Sequence, residues 1–111
     1  NGVSQVEQVA GRFPQVAGLR YTWDPKAPVG KRISSVSLLI NGLYQPISPD
    51  KVYRVAVTDY LAQGSDGYVE MKGARNQINL GFSLTDMLAE YITQRSPVNA
   101  QVEGRIKTIG Q

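Results

Sequence analysis

The sequence predicts an α+β domain with a mainly antiparallel sheet and one long amphipathic helix. Apolar and polar residues alternate with period two in several short segments, an Asn-Gly pair joins two of them, and one later segment carries an apolar stripe at helical spacing. A chain of 111 residues has the size of one domain. We therefore interpret residues 1–111 as a single unit.

Five short segments are predicted to be β-strands. In the first, Leu19, Tyr21 and Trp23 alternate with polar side chains, which is typical of a strand buried on one face, so Tyr21 and Trp23 are expected in the core. Asn41-Gly42 is a strong hairpin signal, and the segments on either side of it are expected to pair. The predicted strands are residues 19–23, residues 33–40, a return strand beginning at residue 43, residues 52–57 and residues 102–109.

The clearest predicted helix begins after Ser83. Ser83 and Asp86 can satisfy free backbone donors at the start of this helix, and Pro97 ends it. Its apolar stripe is expected to lie in the core. The stripe consists of Leu84, Met87, Leu88, Tyr91 and Ile92. A short helical remnant is predicted at residues 1–9, and because residue 1 is Asn we expect a fragment or processed product of a longer protein.

Composition excludes several kinds of chemistry within these residues. The chain has no His and no Cys, so a Ser-His catalytic pair, a cysteine nucleophile and a metal site built on imidazole or thiolate are excluded. The net charge of +3 is scattered along the chain, which argues against binding of a nucleic-acid polymer. No apolar run is long enough to span a membrane. This chain is therefore expected to bind rather than to react.

The most informative segment is residues 59–68, which follows the predicted strand at residues 52–57. Tyr60 and Tyr68 offer flat apolar faces, and Asp66 lies close to Gly64 and beside Gly67. Because glycine lets the backbone turn sharply and lets a ligand come close, this segment could hold a planar polar ring such as a nucleobase. The alternative is an ordinary tight turn in which the Asp66 side chain bonds its own backbone.

Four motifs in order, together with the end of the chain, resemble the C-terminal domain of the 5′-nucleotidases. That family includes UDP-sugar hydrolases and cyclic-nucleotide phosphodiesterases. The resemblance covers nearly the whole chain. The matching segments are residues 11–21, 30–33, 53–57, 60–68 and 102–106.

The resemblance implies a division of labour between two domains. An N-terminal metallophosphatase domain, absent from these residues, would hold two divalent metal ions and hydrolyse the phosphate ester, while this domain would bind the nucleoside part of the substrate. The base would stack between Phe13 and Tyr60, Asp66 would bind the ribose hydroxyls, Gln15 would face the base, and Gly64 would let the ligand approach. No cofactor is expected in the fragment itself.

The resemblance also sets expectations about partners and location. We expect a nucleotide or nucleoside ligand, the protein's own N-terminal catalytic domain as partner, an oligomer that could cover exposed edges, and a periplasmic, cell-wall attached or extracellular location. Arginines and an asparagine of the family pocket would precede residue 1, so the pocket is expected to be incomplete.

Two departures and three alternatives stay open at this point. Ser65 replaces the usual second glycine, and Tyr60 replaces the usual Phe. The parent protein could instead hydrolyse nucleotide sugars or 2′,3′-cyclic nucleotides, or the chain could be a non-catalytic binding or structural module. Arg12, beside Phe13, could approach a phosphate or sugar, although a solvated arginine is the simpler interpretation.

Overall fold

The fold is built on a four-stranded sheet. The computed structural model describes residue 3 and residues 11–110, so the remnant predicted at residues 1–9 lies outside the described residues except at residue 3. The strands lie in the order β3-β2-β1-β4, with β1–β2 and β2–β3 antiparallel and β1–β4 parallel. The mainly antiparallel sheet of the prediction is confirmed. The strands are β1 (Leu19–Trp23), β2 (Ile33–Ile40), β3 (Leu43–Pro46) and β4 (Ile106–Thr108).

The hairpin between β2 and β3 forms where the Asn-Gly pair predicts it. Asn41 and Gly42 have φ angles of 50° and 80°, the left-handed values that a two-residue type I′ turn requires at both central positions. Ile40 then pairs with Leu43 across the ladder.

The core lies on one face of β1. Tyr21 is only 5% exposed and is buried together with Trp23, and Phe13, Val36 and Ile106 pack against them. The Tyr21 hydroxyl donates a hydrogen bond to the Pro14 carbonyl oxygen at 3.0 Å, which satisfies its polar end inside the core. The predicted core role of Tyr21 and Trp23 is confirmed.

Four helical elements lie between β3 and β4. Helix α1 (Asp59–Ala62) is followed by two 3₁₀ turns, Ser65–Gly67 and Val69–Gly73, and then by the longer helix α2 (Leu84–Arg95). The Ser83 hydroxyl caps α2 by accepting a hydrogen bond from the Asp86 backbone N–H at 3.3 Å, as the sequence predicts. Among the described residues, no helix is both long enough and apolar enough to cross a bilayer.

Three expectations about these elements are corrected by the structure. Residues 52–57 form no strand, and Val52 is 89% exposed, because an alternating segment becomes a strand only where another backbone lies beside it. The strand predicted at residues 102–109 is shorter than expected: only β4 forms, and it pairs in parallel with Tyr21–Trp23 of β1.

The third correction concerns the apolar stripe of α2, which was expected in the core. Its side chains are 44–64% exposed, because no described element packs against it closely enough to bury any residue of the helix.

Candidate functional site

The centre of the candidate site is residues 64–68, which we call the acidic loop. Gly64, Asp66 and Gly67 have φ angles of 90°, 54° and 78°, all in the left-handed region that glycine adopts freely and aspartate tolerates. Left-handed backbone at a non-glycine residue is strained and is often found at functional sites. The backbone at Asp66 therefore adopts a conformation that is uncommon for a non-glycine residue.

The Asp66 carboxylate is available to a ligand. The residue is exposed, and its side chain accepts no hydrogen bond and forms no ion pair with any described residue. The alternative in which Asp66 bonds its own backbone is therefore not observed. A carboxylate of this kind can accept hydrogen bonds from hydroxyl groups.

Two residues at the start of the first motif hold the acidic loop. A methyl group on Gly11 would lie 2.9 Å from Oδ2 of Asp66, so the carboxylate lies directly against the Gly11 backbone. A methyl group on Gly67 would lie 2.6 Å from Nε of Arg12, so the Arg12 side chain crosses Gly67 at close range. The Tyr68 hydroxyl donates a hydrogen bond to the Arg12 carbonyl oxygen at 2.5 Å. Sequence reasoning missed these three contacts, since nothing in either segment alone shows that they meet.

Tyr60 lies in α1, the short helix that precedes the acidic loop. Helix α1 is capped by the Thr58 hydroxyl, which accepts a hydrogen bond from the Leu61 backbone N–H at 3.4 Å, and the helix ends where Gly64 turns left-handed. Tyr60 is 52% exposed. Its ring therefore presents a large apolar surface to solvent in the segment that leads into the acidic loop.

Phe13 occupies a different environment from Tyr60. Its ring lies 5.5 Å from that of Trp23 in an edge-on arrangement and 6.4 Å from that of Tyr21 in a tilted one. We call Phe13, Tyr21 and Trp23 the aromatic cluster. The ring contacts of Phe13 within the described residues are those of this cluster, so the structure brings Phe13 into the edge of the core. The two-ring clamp stays a prediction.

The remaining predicted residues lie at the periphery of these groups. Gln15 is exposed, two residues beyond Phe13. Gly64 lies beneath the Lys72 side chain, whose Cε would be 3.0 Å from a methyl group at Gly64. Their predicted ligand contacts stay predictions.

The hydroxyls of Tyr68, in the acidic loop, and of Tyr21, in the core, stay protonated at neutral pH. Burial raises the pKa of Tyr68, and the nearby Asp66 carboxylate raises it further. Burial also raises the pKa of Tyr21 to about 12, with a smaller effect from Tyr68. Both groups therefore act as donors, one to Arg12 and one to Pro14.

The described residues do not fit a metal centre. No group of three or more His, Cys, Asp or Glu side chains is placed to hold a metal ion in the part of the chain that the structure describes.

Comparison with known proteins identifies the domain. A family model described as "5′-nucleotidase, C-terminal domain" matches residues 2–73. A 5′-nucleotidase from Diplobatis ommata is 31% identical over 110 residues, which is 96% of this chain and 19% of that protein. The trifunctional nucleotide phosphoesterase protein YfkN from Bacillus subtilis is 36% identical over 97% of this chain and 8% of its own length.

A solved structure shows the same fold. The crystal structure of a 5′-nucleotidase precursor from Thermus thermophilus matches with a TM-score of 0.92 and 37% identity, over 98% of this chain and 22% of that one. The chain thus spans about a fifth or less of the length of these relatives. It belongs to the 5′-nucleotidase family, as a part of its C-terminal domain.

Proposed function

We propose that this chain is the nucleoside-binding part of a hydrolase that removes phosphate from nucleotides. The observation that carries the proposal is the acidic loop, which holds an exposed Asp66 carboxylate without a protein partner among the described residues, in the segment that follows the exposed ring of Tyr60. A charged acceptor and a flat apolar face are the two groups needed to bind a ribose and a base.

In this proposal Tyr60 supplies the stacking surface and Asp66 binds the ribose hydroxyls. Stacking on one aromatic ring contributes roughly 1–3 kcal/mol and tolerates any base. Phe13 contributes to the site through packing, since the aromatic cluster holds its ring. Gly11 and Arg12, which directly precede Phe13, lie against the acidic loop.

The hydrolytic step is assigned to a separate N-terminal domain with two divalent metal ions that activate water. The names of the relatives, a 5′-nucleotidase and a nucleotide phosphoesterase, support a phosphoric-ester hydrolase as the parent protein. The N-terminal domain would be the main partner of this chain. The solved relative is a precursor, which supports an exported protein in the periplasm, on the cell wall or outside the cell.

The test is the preference for ribose over deoxyribose. In the full-length natural protein that carries this sequence, kcat/KM would be measured by phosphate release from AMP and from dAMP. Asp66→Asn should lower kcat/KM for AMP about tenfold and lower that for dAMP, which keeps only its 3′-hydroxyl, by clearly less, because a hydrogen bond to a charged acceptor contributes roughly 1.5–3 kcal/mol.

A matched control is Asp50→Asn, an exposed acid in the turn after β3. It should leave both values unchanged. An Asp66→Asn variant that keeps the wild-type preference for AMP would overturn the assignment of Asp66 to ribose.

A further inference from the structure

We propose that Gly11 is a positioning residue for Asp66: the missing side chain at Gly11 sets where the Asp66 carboxylate lies, and with it the recognition of ribose. This inference rests on the proposed function, in which Asp66 binds ribose hydroxyls. Gly11 itself is not required to touch the ligand.

The first observation is that the Gly11 position contacts the carboxyl group of Asp66 at close range. The three heavy atoms nearest to a methyl group on Gly11 all belong to the Asp66 carboxyl group, with Oδ2 at 2.9 Å, Cγ at 3.4 Å and Oδ1 at 3.8 Å. An approach below 3.0 Å is too short for a real contact, so an added methyl group must push the carboxylate away. The displaced group is the ligand-binding end of the side chain.

The second observation is that Gly11 is not needed for its backbone conformation. Its φ lies outside the left-handed region, unlike those of Gly64 and Gly67. Alanine at residue 11 therefore meets no backbone penalty, and the Asp66 side chain, which is exposed, can rotate away at small cost in stability. Glycine is needed at this position because any larger side chain would occupy the space where the Asp66 carboxylate lies.

The third observation is that the neighbouring residue holds the same loop. Nε, Cδ and Cζ of Arg12 lie 2.6, 2.9 and 3.1 Å from a methyl position on Gly67, and the Tyr68 hydroxyl bonds the Arg12 carbonyl oxygen. Arg12 Nε is buried with no hydrogen-bond partner among the described residues, and the side chain lies directly over Gly67. Arg12 thus contacts the two residues that follow Asp66, while Gly11 contacts the Asp66 carboxylate itself.

The experiment compares Gly11→Ala with Gly73→Ala in the full-length natural protein. Gly73 is a matched control because its φ is also outside the left-handed region and a methyl group there meets nothing within 4 Å. Gly11→Ala should lower kcat/KM for AMP about tenfold, lower that for dAMP by clearly less because its 3′-hydroxyl remains, and leave the melting temperature close to that of Gly73→Ala.

A double variant tests whether Gly11 acts through Asp66. If it does, the double variant Gly11→Ala/Asp66→Asn should show the same ratio of kcat/KM for AMP and dAMP as Asp66→Asn alone. The reason is that both substitutions remove the same interaction, the one between Asp66 and the ribose. Arg12→Ala should also lower the preference for AMP over dAMP. This variant gives a second test of how Asp66 is positioned if Gly11→Ala folds poorly.

Three results would overturn the inference. One is an unchanged preference in Gly11→Ala, and another is an equal loss of activity towards both substrates, which would indicate general damage. The third is an unchanged preference in Asp66→Asn. That result would remove the ribose role of Asp66 itself, and so it separates failure of the proposed function from failure of the positioning role.

Discussion

At the scale of single residues, we predict different effects for substitutions at Tyr60 and Phe13, although both rings were expected to stack on the base. Substitution of Tyr60 should affect activity, whereas substitution of Phe13 should affect stability. Tyr60 is half exposed on a short helix, whereas Phe13 belongs to the aromatic cluster. Tyr60→Ala should therefore lower kcat/KM about 10- to 100-fold for all nucleoside monophosphates alike, with little change in stability. Tyr60→Phe is the control and should retain nearly full activity.

Phe13→Leu should act mainly on stability. Loss of the two ring contacts should reduce the free energy of unfolding by about 1 kcal/mol, measured by denaturant titration, with less than a threefold change in kcat/KM. A loss of activity as large as that of Tyr60→Ala, at unchanged stability, would instead support the two-ring clamp.

The sequence alone indicates single candidate residues of the proposed site but not the contacts between distant segments. Asp66 and Tyr60 stand out because a short segment with two glycines and an acid is informative by itself. Gly11 and Arg12 lie more than fifty residues earlier in the chain, and only the fold shows that they meet the acidic loop.

At the scale of elements, substitution of two helix caps should distinguish an effect on ligand affinity from an effect on stability alone. Thr58 caps α1, which carries Tyr60, and Ser83 caps α2, which carries no proposed site residue. Loss of either cap should weaken its helix by roughly 0.5–2 kcal/mol. Thr58→Ala should therefore lower nucleoside affinity, whereas Ser83→Ala should lower stability and leave affinity unchanged. Equal effects of the two variants on affinity would contradict the role assigned to α1.

The elements that the sequence predicted correctly are those that depend on local signals. The hairpin at Asn41-Gly42 and the start of α2 at Ser83 are set by turn and capping chemistry within a few residues. Residues 52–57 carry a strand pattern but form no strand, because pairing depends on a neighbouring backbone that a local pattern does not specify.

At the scale of the whole molecule, the exposed apolar stripe of α2 should make the 111-residue chain self-associate. A contiguous apolar surface of this kind is typical of an interaction site. Leu88→Glu should lower the weight-average mass in analytical ultracentrifugation, whereas Thr85→Glu, an exposed polar position on the same helix, should not. A monomeric wild-type chain at high concentration would contradict this.

The stability of the molecule should also fall at alkaline pH. The pKa of Tyr21 is raised to about 12 from an ordinary value of 10.0, so the folded state keeps a proton that the unfolded state loses. Stability should be unaffected by this group below pH 10 and decline by on the order of 1–2 kcal/mol as the pH rises towards 12. Denaturant unfolding at several pH values checks this, and Tyr21→Phe should reduce the decline.

The most direct test of the central claim is a titration of the full-length natural protein with adenosine, followed by backbone NMR shifts, in the wild type and in Tyr60→Ala. We predict shifts concentrated in α1 and the acidic loop, and a dissociation constant raised at least tenfold in Tyr60→Ala. Binding of equal strength in both proteins, or shifts confined to residues outside these two segments, would contradict the assignment of nucleoside binding to this site.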